Sequence, residues 1–131
     1  MNKVIAFLRL VTLDDNNYWY CGYVGVKDNS MLPKSVQGHI YMLNYYSDSL
    51  DAKISVHGGI TFDGTWRMDT PIIPISDIPA DWYTYHYYGF DLNHCNDKPI
   101  ATNFEYAKQE VLSMKKQMEE LIAELSSSTG N

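Results

Sequence analysis

The chain has 131 residues, a formal net charge of −6 and an apolar fraction of 45%. This length predicts a single domain with its own core, and the acidic balance argues against nucleic-acid binding, which needs clustered Lys and Arg. Tyrosine occurs 11 times, and its ring with a polar tip suits binding surfaces as well as cores.

Cysteine usage and the N-terminus predict a cytoplasmic protein. Cys21 and Cys95 form no C-x-x-C pattern, so both are expected to be reduced. Residues 4–11 are apolar, but Arg9 interrupts them and no cleavage site follows, which argues against a signal peptide. No apolar run reaches the length of a membrane span.

The first part of the chain predicts an antiparallel hairpin. Residues 4–11 are rich in branched side chains, as in a central strand, and residues 14–17 form a turn cluster. Residues 18–26 then alternate between two faces. Residues 27–53 lose this periodicity, and we expect a short helix or an irregular covering segment of the kind that is often functional.

Further strands are predicted in the middle of the chain. Residues 54–62 form a strand pattern that Gly58 and Gly59 interrupt, and such glycines mark a bulge or the close approach of a ligand. Asp63-Gly64 predicts a tight hairpin, and residues 71–79 predict a proline-rich loop. The aromatic stretch that begins at Trp82 predicts the next strand.

The clearest element is a C-terminal amphipathic helix over residues 102–125, followed by a frayed tail over 126–131. Thr102 and Glu105 predict a capping box. The apolar residues recur at spacings of three and four: Phe104, Ala107, Val111, Met114, Met118, Leu121 and Leu125. This stripe must be covered by the sheet or shared with a second copy.

Together these elements predict an α+β fold in one domain over residues 1–131. We expect a small antiparallel β-sheet of about 4–6 strands within residues 1–98, and the long C-terminal helix beside it.

Two segments carry the candidate ligand-binding site, and we expect them to meet in the fold. The residues are His57, Gly58, Gly59, Asp91, His94 and Asp97. Carboxylates and imidazoles held together can bind a metal, move a proton or hold a polar ligand. Alternatively, Asp residues after a strand cap turns and a histidine makes structural hydrogen bonds. The spacing matches no zinc or calcium signature, so we predict no metal and no other cofactor.

Aromatic side chains complete the predicted site. Trp19 and Tyr88 can stack on a base or a sugar. The alternative is that strand aromatics build the core and the cross-strand pairs.

Three segments resemble a family of small proteins common in bacteriophage genomes. They are Trp-Tyr-Cys-Gly-Tyr-Val-Gly-Val at 19–26, Val-His-Gly-Gly-Ile-Thr-Phe at 56–62, and Gly-Phe-Asp at 89–91 followed by His94 and Asp97. The family has a Cys-Gly-Tyr-Val-type strand, a Val-His-Gly-Gly-Leu-Thr box and a Gly-Phe-Asp-x-x-His-x-x-Asp box in this order.

The start of the helix, residues 106–111, is also similar to that family. The chain departs from it in the loop 27–33 and at Leu92 and Asn93. The resemblance implies a phage origin, and small accessory phage proteins often act against host immunity.

These observations predict a counter-defence binding protein in the cytoplasm of an infected bacterium. It would sequester a small polar or nucleotide-type immune signal, or block a host defence protein. One alternative is a metal-assisted phosphodiesterase that uses His57, Asp91, His94 and Asp97, although such enzymes usually have denser carboxylate and histidine clusters. Another is an inhibitor of a host protein, such as a nuclease, through the acidic surface. A homo-oligomer through the C-terminal helix stays open.

Overall fold

In a computed structural model, the protein consists of a five-stranded antiparallel sheet and a long C-terminal helix, as the predicted α+β class requires. The structure describes residues 3–35, 49–93 and 98–129. In none of these ranges is there a helix both long enough and apolar enough to span a membrane.

The sheet has the strand order β3-β5-β2-β1-β4, and every neighbouring pair is antiparallel. The strands are β1 Val4–Asp14, β2 Asn17–Val26, β3 Phe62–Thr65, β4 Ile73–Pro74 and β5 His86–Asp91. The predicted hairpin is confirmed, since β1 pairs with β2 from Val4↔Val26 to Asp14↔Asn17. A bulge between Thr12 and Asp14 shifts the register near the turn.

The strand predicted over residues 54–62 was wrong, because only Phe62 of that range belongs to a strand. A turn takes its place, closed by a 2.9 Å hydrogen bond from the Gly59 N–H to the Val56 carbonyl. Gly58 and Gly59 have φ angles of 71° and 79°, a left-handed backbone that ends extended pairing and favours glycine.

Two further local predictions were wrong. Asp63 and Gly64 do not form a hairpin turn, since they lie inside β3 and pair with β5. The predicted aromatic strand begins at His86 and not at Trp82, because Trp82–Thr84 is a 3₁₀ turn. The Tyr87 hydroxyl donates a 2.6 Å hydrogen bond to the Trp82 carbonyl, which holds this turn against the strand.

The remaining connections are short or lie partly outside the described residues. Leu50–Ala52 is a single 3₁₀ turn within the predicted covering segment, while residues 36–48 lie outside the described ranges. The proline-rich loop is confirmed apart from the two residues of β4.

Helix α1 spans Lys98–Ala101 and helix α2 spans Phe104–Thr129. The N-cap of α2 is Asn103 and not Thr102, because the Asn103 side-chain oxygen accepts a 2.9 Å hydrogen bond from the Tyr106 N–H. The capping residue therefore lies one position later than predicted, and it satisfies an amide of the first turn.

Alternation along the strands gives the sheet two buried faces. We call the face that contacts α2 the helix face, and its core includes Ala6, Leu8, Val24, Tyr88, Phe90, Ala107, Val111, Met114 and Met118. The centre of the predicted apolar stripe is thus confirmed as packing on the sheet. We call the other face the aromatic face, where Trp66 and Trp82 cover Ile5, Phe7, Tyr23 and Tyr87.

Three glycines of the β2–β5 ladder lie directly opposite aromatic residues. Gly22 pairs with Phe90, Gly25 with Tyr87 and Gly89 with Tyr23. A Cβ atom on Gly22 would lie 2.3 Å from the Phe90 ring and 3.1 Å from Val111. Each ring therefore occupies the space above a residue that has no side chain.

We expect Gly22→Ala to destabilise the protein by about 1–3 kcal/mol, because the added methyl overlaps Phe90 in a core already closed by α2. Urea unfolding gives the free energy. Gly64→Ala is the matched control, since its nearest neighbouring atom, in Phe62, is 3.7 Å away, and it should stay within about 0.5 kcal/mol of wild type. Equal unfolding free energies for the two variants would contradict this account of the packing.

Candidate functional site

A cleft of about 380 Å³ opens on the aromatic face of the sheet, and we call it the Arg9 cleft. Three of its polar residues stand side by side because of the strand register. Arg9 of β1 is opposite Cys21 of β2, and Cys21 is opposite Asp91 of β5. Neighbouring strands lie about 4.8 Å apart, so the backbones of Arg9 and Asp91 are roughly 10 Å apart across the cleft. One side of the cleft therefore carries a cation and the other a carboxylate.

Arg9 is held by a phenol and not by an acid. Its Nε and Nη2 donate hydrogen bonds of 3.2 and 3.1 Å to the Tyr23 hydroxyl. Within residues 3–35, 49–93 and 98–129, no carboxylate forms an ion pair with this guanidinium. The side chain is half-buried, so its positive charge is oriented by Tyr23 and is not neutralised there.

Asp91 closes the other side of the cleft. Its Oδ1 accepts a 3.0 Å hydrogen bond from the Asn93 N–H, and its Oδ2 accepts a 3.2 Å hydrogen bond from the Thr61 hydroxyl. The turn-capping role that we gave as the alternative for this residue is therefore present. The same bonds fix the carboxylate at the wall of the cleft.

The centre of the cleft is neutral. Burial raises the pKa of the Cys21 thiol, against the opposing effect of Arg9. Burial also raises the pKa of Tyr23 to about 12, although the hydrogen bond from Arg9 acts in the other direction. Cys21 is a buried free thiol, as the sequence predicted for it. Near neutral pH these residues offer an uncharged thiol and phenol between the two charged sides.

His57 contacts the C-terminal helix. Its Nδ1 lies 2.8 Å from the Tyr106 hydroxyl, the two rings meet edge to face, and its backbone N–H donates a 2.9 Å hydrogen bond to Glu110. His57, Gly58 and Gly59 are not among the described residues that line the Arg9 cleft. From this segment it is Thr61 that reaches Asp91.

The other predicted site residues have different positions. Trp19 is half-buried and lines the cleft. Tyr88 was wrongly placed in the site, because it lies in the helix-face core with 2% of its surface exposed and its hydroxyl accepts a hydrogen bond from Asn29. His94 and Asp97 lie outside the described residues.

Of the four candidate metal ligands, the structure describes His57 and Asp91. In the described ranges, no group of three or more His, Cys, Asp and Glu side chains is arranged to hold a metal ion. The phosphodiesterase alternative uses His57, Asp91, His94 and Asp97, and the last two lie outside the described residues. The described contacts of His57 are with the helix, and those of Asp91 are with Thr61 and Asn93.

Comparison of the chain with protein-family models, with curated protein sequences and with solved structures gave no match. The resemblance to a bacteriophage family therefore remains a prediction from the sequence motifs.

Arg9 and Thr61 belong to the site but were not predicted. A charged residue inside an otherwise apolar strand was the available signal for Arg9. That signal does not show which residues lie beside Arg9. The strand register decides this, since it places Arg9 opposite Cys21 and Cys21 opposite Asp91.

The contact between His57 and Tyr106 can be tested by a double-mutant cycle. We expect Tyr106→Phe to destabilise the protein by about 1 kcal/mol, since it removes a partly buried hydrogen bond. In a His57→Ala background the same change should cost much less, because the partner is already absent. Urea unfolding of the four proteins measures this coupling. Equal costs of Tyr106→Phe in both backgrounds would show that the two side chains are independent.

Tyr23 gives a test by pH. Its pKa rises from 10.0 to about 12 on folding, so the folded state retains the phenol proton more tightly. The stabilisation is present below pH 10 and is lost as the pH rises towards 12. Between pH 10 and pH 12 the free energy of unfolding of wild type should fall by about 2 kcal/mol more than that of Tyr23→Phe. Denaturant unfolding at several alkaline pH values measures the slope, and parallel slopes for both proteins would contradict the assignment.

Proposed function

We propose that the protein is a binding protein that holds a small polar ligand of the nucleotide type in the Arg9 cleft. The observation that carries the proposal is the half-buried guanidinium of Arg9, which Tyr23 orients and which no described carboxylate neutralises. Arginine in this setting is suited to phosphate, because its fork of donors matches two phosphate oxygens.

The opposite side of the cleft complements the rest of a nucleotide. Asp91 is held by Thr61 and Asn93, and its carboxylate can accept hydrogen bonds from ribose hydroxyls or from an exocyclic amine. Trp19 lies on the same face and supplies a flat apolar surface for a base. Cation, carboxylate and indole are therefore the three groups that such a ligand would contact.

The dimensions of the cleft limit the ligand further. Small-molecule sites have volumes of about 300–1,000 Å³, and the Arg9 cleft is near the lower end at about 380 Å³. This volume favours a single nucleotide or a cyclic mononucleotide over a dinucleotide.

The biological setting that we propose is counter-defence in the cytoplasm of a bacterium infected by a phage. In that setting the protein would withdraw a nucleotide-type immune signal by binding it without changing it. The support for this setting is the resemblance of the three sequence segments to a phage family, together with the cleft. If no nucleotide binds, the other predicted function, in which the protein blocks a host defence protein, takes the place of this one.

Isothermal titration calorimetry with a series of mononucleotides, cyclic mononucleotides and their nucleosides tests the proposal. Wild type should bind at least one nucleotide more tightly than the matching nucleoside. Arg9→Gln should reduce that difference by about tenfold or more, since a hydrogen bond to a charged group contributes about 1.5–3 kcal/mol. Lys116→Gln, on an exposed position of α2, is the control with the same charge change.

Heating the complex and analysing the released ligand by chromatography separates binding from catalysis. Intact ligand supports sequestration, and a converted ligand would show an enzyme. Absence of binding by every nucleotide, or equal affinities of wild type and Arg9→Gln, would refute the proposed site.

A further inference from the structure

A second, smaller cavity adjoins the Arg9 cleft, and we call it the Asn93 pocket. It has a volume of about 190 Å³, and its walls come from the end of the β1–β2 hairpin and from Ala101 and Thr102 before α2. Trp19 and Asn93 line both cavities. The two cavities are thus neighbours, and one ligand can reach from the Arg9 cleft past Trp19 into the Asn93 pocket.

The lining of the Asn93 pocket is uncharged among the residues that the structure describes. Its polar side chains are amides and hydroxyls, and they come from Asn16, Asn17, Tyr18, Asn93 and Thr102. The Arg9 cleft, by contrast, is lined by a guanidinium and a carboxylate. The two cavities therefore suit different parts of one ligand, a charged part in the cleft and an uncharged polar part in the pocket.

Two asparagine amides are available in this pocket. The backbone N–H of Asn16 donates a 2.9 Å hydrogen bond to the Asp14 carboxylate. The backbone N–H of Asn93 donates a 3.0 Å hydrogen bond to Asp91 in the same way. With the partners that the described ranges offer, the side-chain amides of Asn16 and Asn93 form no hydrogen bond, whereas that of Asn17 is bonded to Asp14. Each carboxylate thus holds the backbone of an asparagine whose amide is left for a ligand.

The strand register sets the distance between the phosphate-binding group and the pocket. Arg9 is opposite Cys21, and Trp19 lies two residues from Cys21 along β2. Two residues of a strand span about 7 Å, and neighbouring strands lie about 4.8 Å apart, so the backbones of Arg9 and Trp19 are roughly 8 Å apart. A mononucleotide spans a comparable distance between its phosphate and its base. A nucleotide with its phosphate at Arg9 can therefore place its base on Trp19, with the edge of the base at the Asn93 pocket.

The chemistry of the lining favours one base. An asparagine amide presents a donor beside an acceptor, which matches the ring nitrogen N7 and the N6 amino group of adenine. Guanine is usually bound by Arg or Lys, and the amino group of cytosine by a carboxylate. The described lining of the Asn93 pocket has neither kind of charged side chain.

We propose that the Asn93 pocket binds the adenine base of a nucleotide whose phosphate is held by Arg9, and that Asn16 and Asn93 determine this choice of base. The inference rests on the proposed function of the Arg9 cleft and specifies the ligand as an adenine nucleotide. Trp19 stacks on the base while the two amides bind its polar edge. The Asp91 carboxylate is then left for the ribose hydroxyls.

Isothermal titration calorimetry with AMP, GMP, CMP, UMP and ribose 5-phosphate tests this choice. Wild type should bind AMP about tenfold more tightly than the other four compounds. The double variant Asn16→Ala with Asn93→Ala retains both backbone N–H groups. It should lose most of the preference for AMP and bind ribose 5-phosphate as wild type does. Gln109→Ala, which removes an amide from an exposed position of α2, is the control and should keep the preference.

The two proposals fail in different ways. If the four mononucleotides bind wild type equally and Arg9→Gln weakens them all, the cleft holds phosphate and the base assignment is wrong. A preference for another base, or a preference for AMP that the double variant retains, would also overturn the base assignment. If no nucleotide binds, both proposals are refuted. Thermal unfolding confirms that the double variant is folded, and each single variant carries the test if it is not.

Discussion

The pairing of β2 with its two neighbours is the constraint on which the rest of the structure depends. β2 lies between β1 and β5, and it is buried over its second half on both faces of the sheet. Its even-numbered residues define the face that receives the helix, and its odd-numbered residues define the aromatic face. Any shift of this strand by one residue would exchange the two cores.

The same pairing creates the cleft. Arg9, Cys21 and Asp91 are distant in sequence, and the ladders bring them into one row. Tyr23, two residues from Cys21 on the same face, then holds the guanidinium in place. Cation and carboxylate are kept apart by a full strand. Because of this separation, Arg9 and Asp91 do not form an ion pair with each other.

Long periodic signals in the sequence predicted the correct elements, while short signals often did not. The hairpin and the helix stripe each repeat a pattern over ten or more residues, and both are present. Gly58-Gly59 was interpreted as a break within a strand, although two left-handed residues end the strand altogether. Asp63 and Gly64 are residues typical of a turn, but their pairing with Tyr88 and Tyr87 of β5 makes them part of a strand. The site was only partly predictable for the same reason, since Asp91 and Trp19 have local signals and Arg9 depends on register.

The glycines opposite aromatic rings in the β2–β5 ladder also decide which alternative pairings are available to the chain. A slip of two residues preserves the two faces, so hydrophobic patterning alone does not prevent it. In one such slip Tyr23 would be opposite Tyr87, and neither ring would have a glycine to cover. In the native register each of the three rings has that space, on alternating strands. The three pairs of glycine and aromatic ring therefore restrict β2 and β5 to the native register.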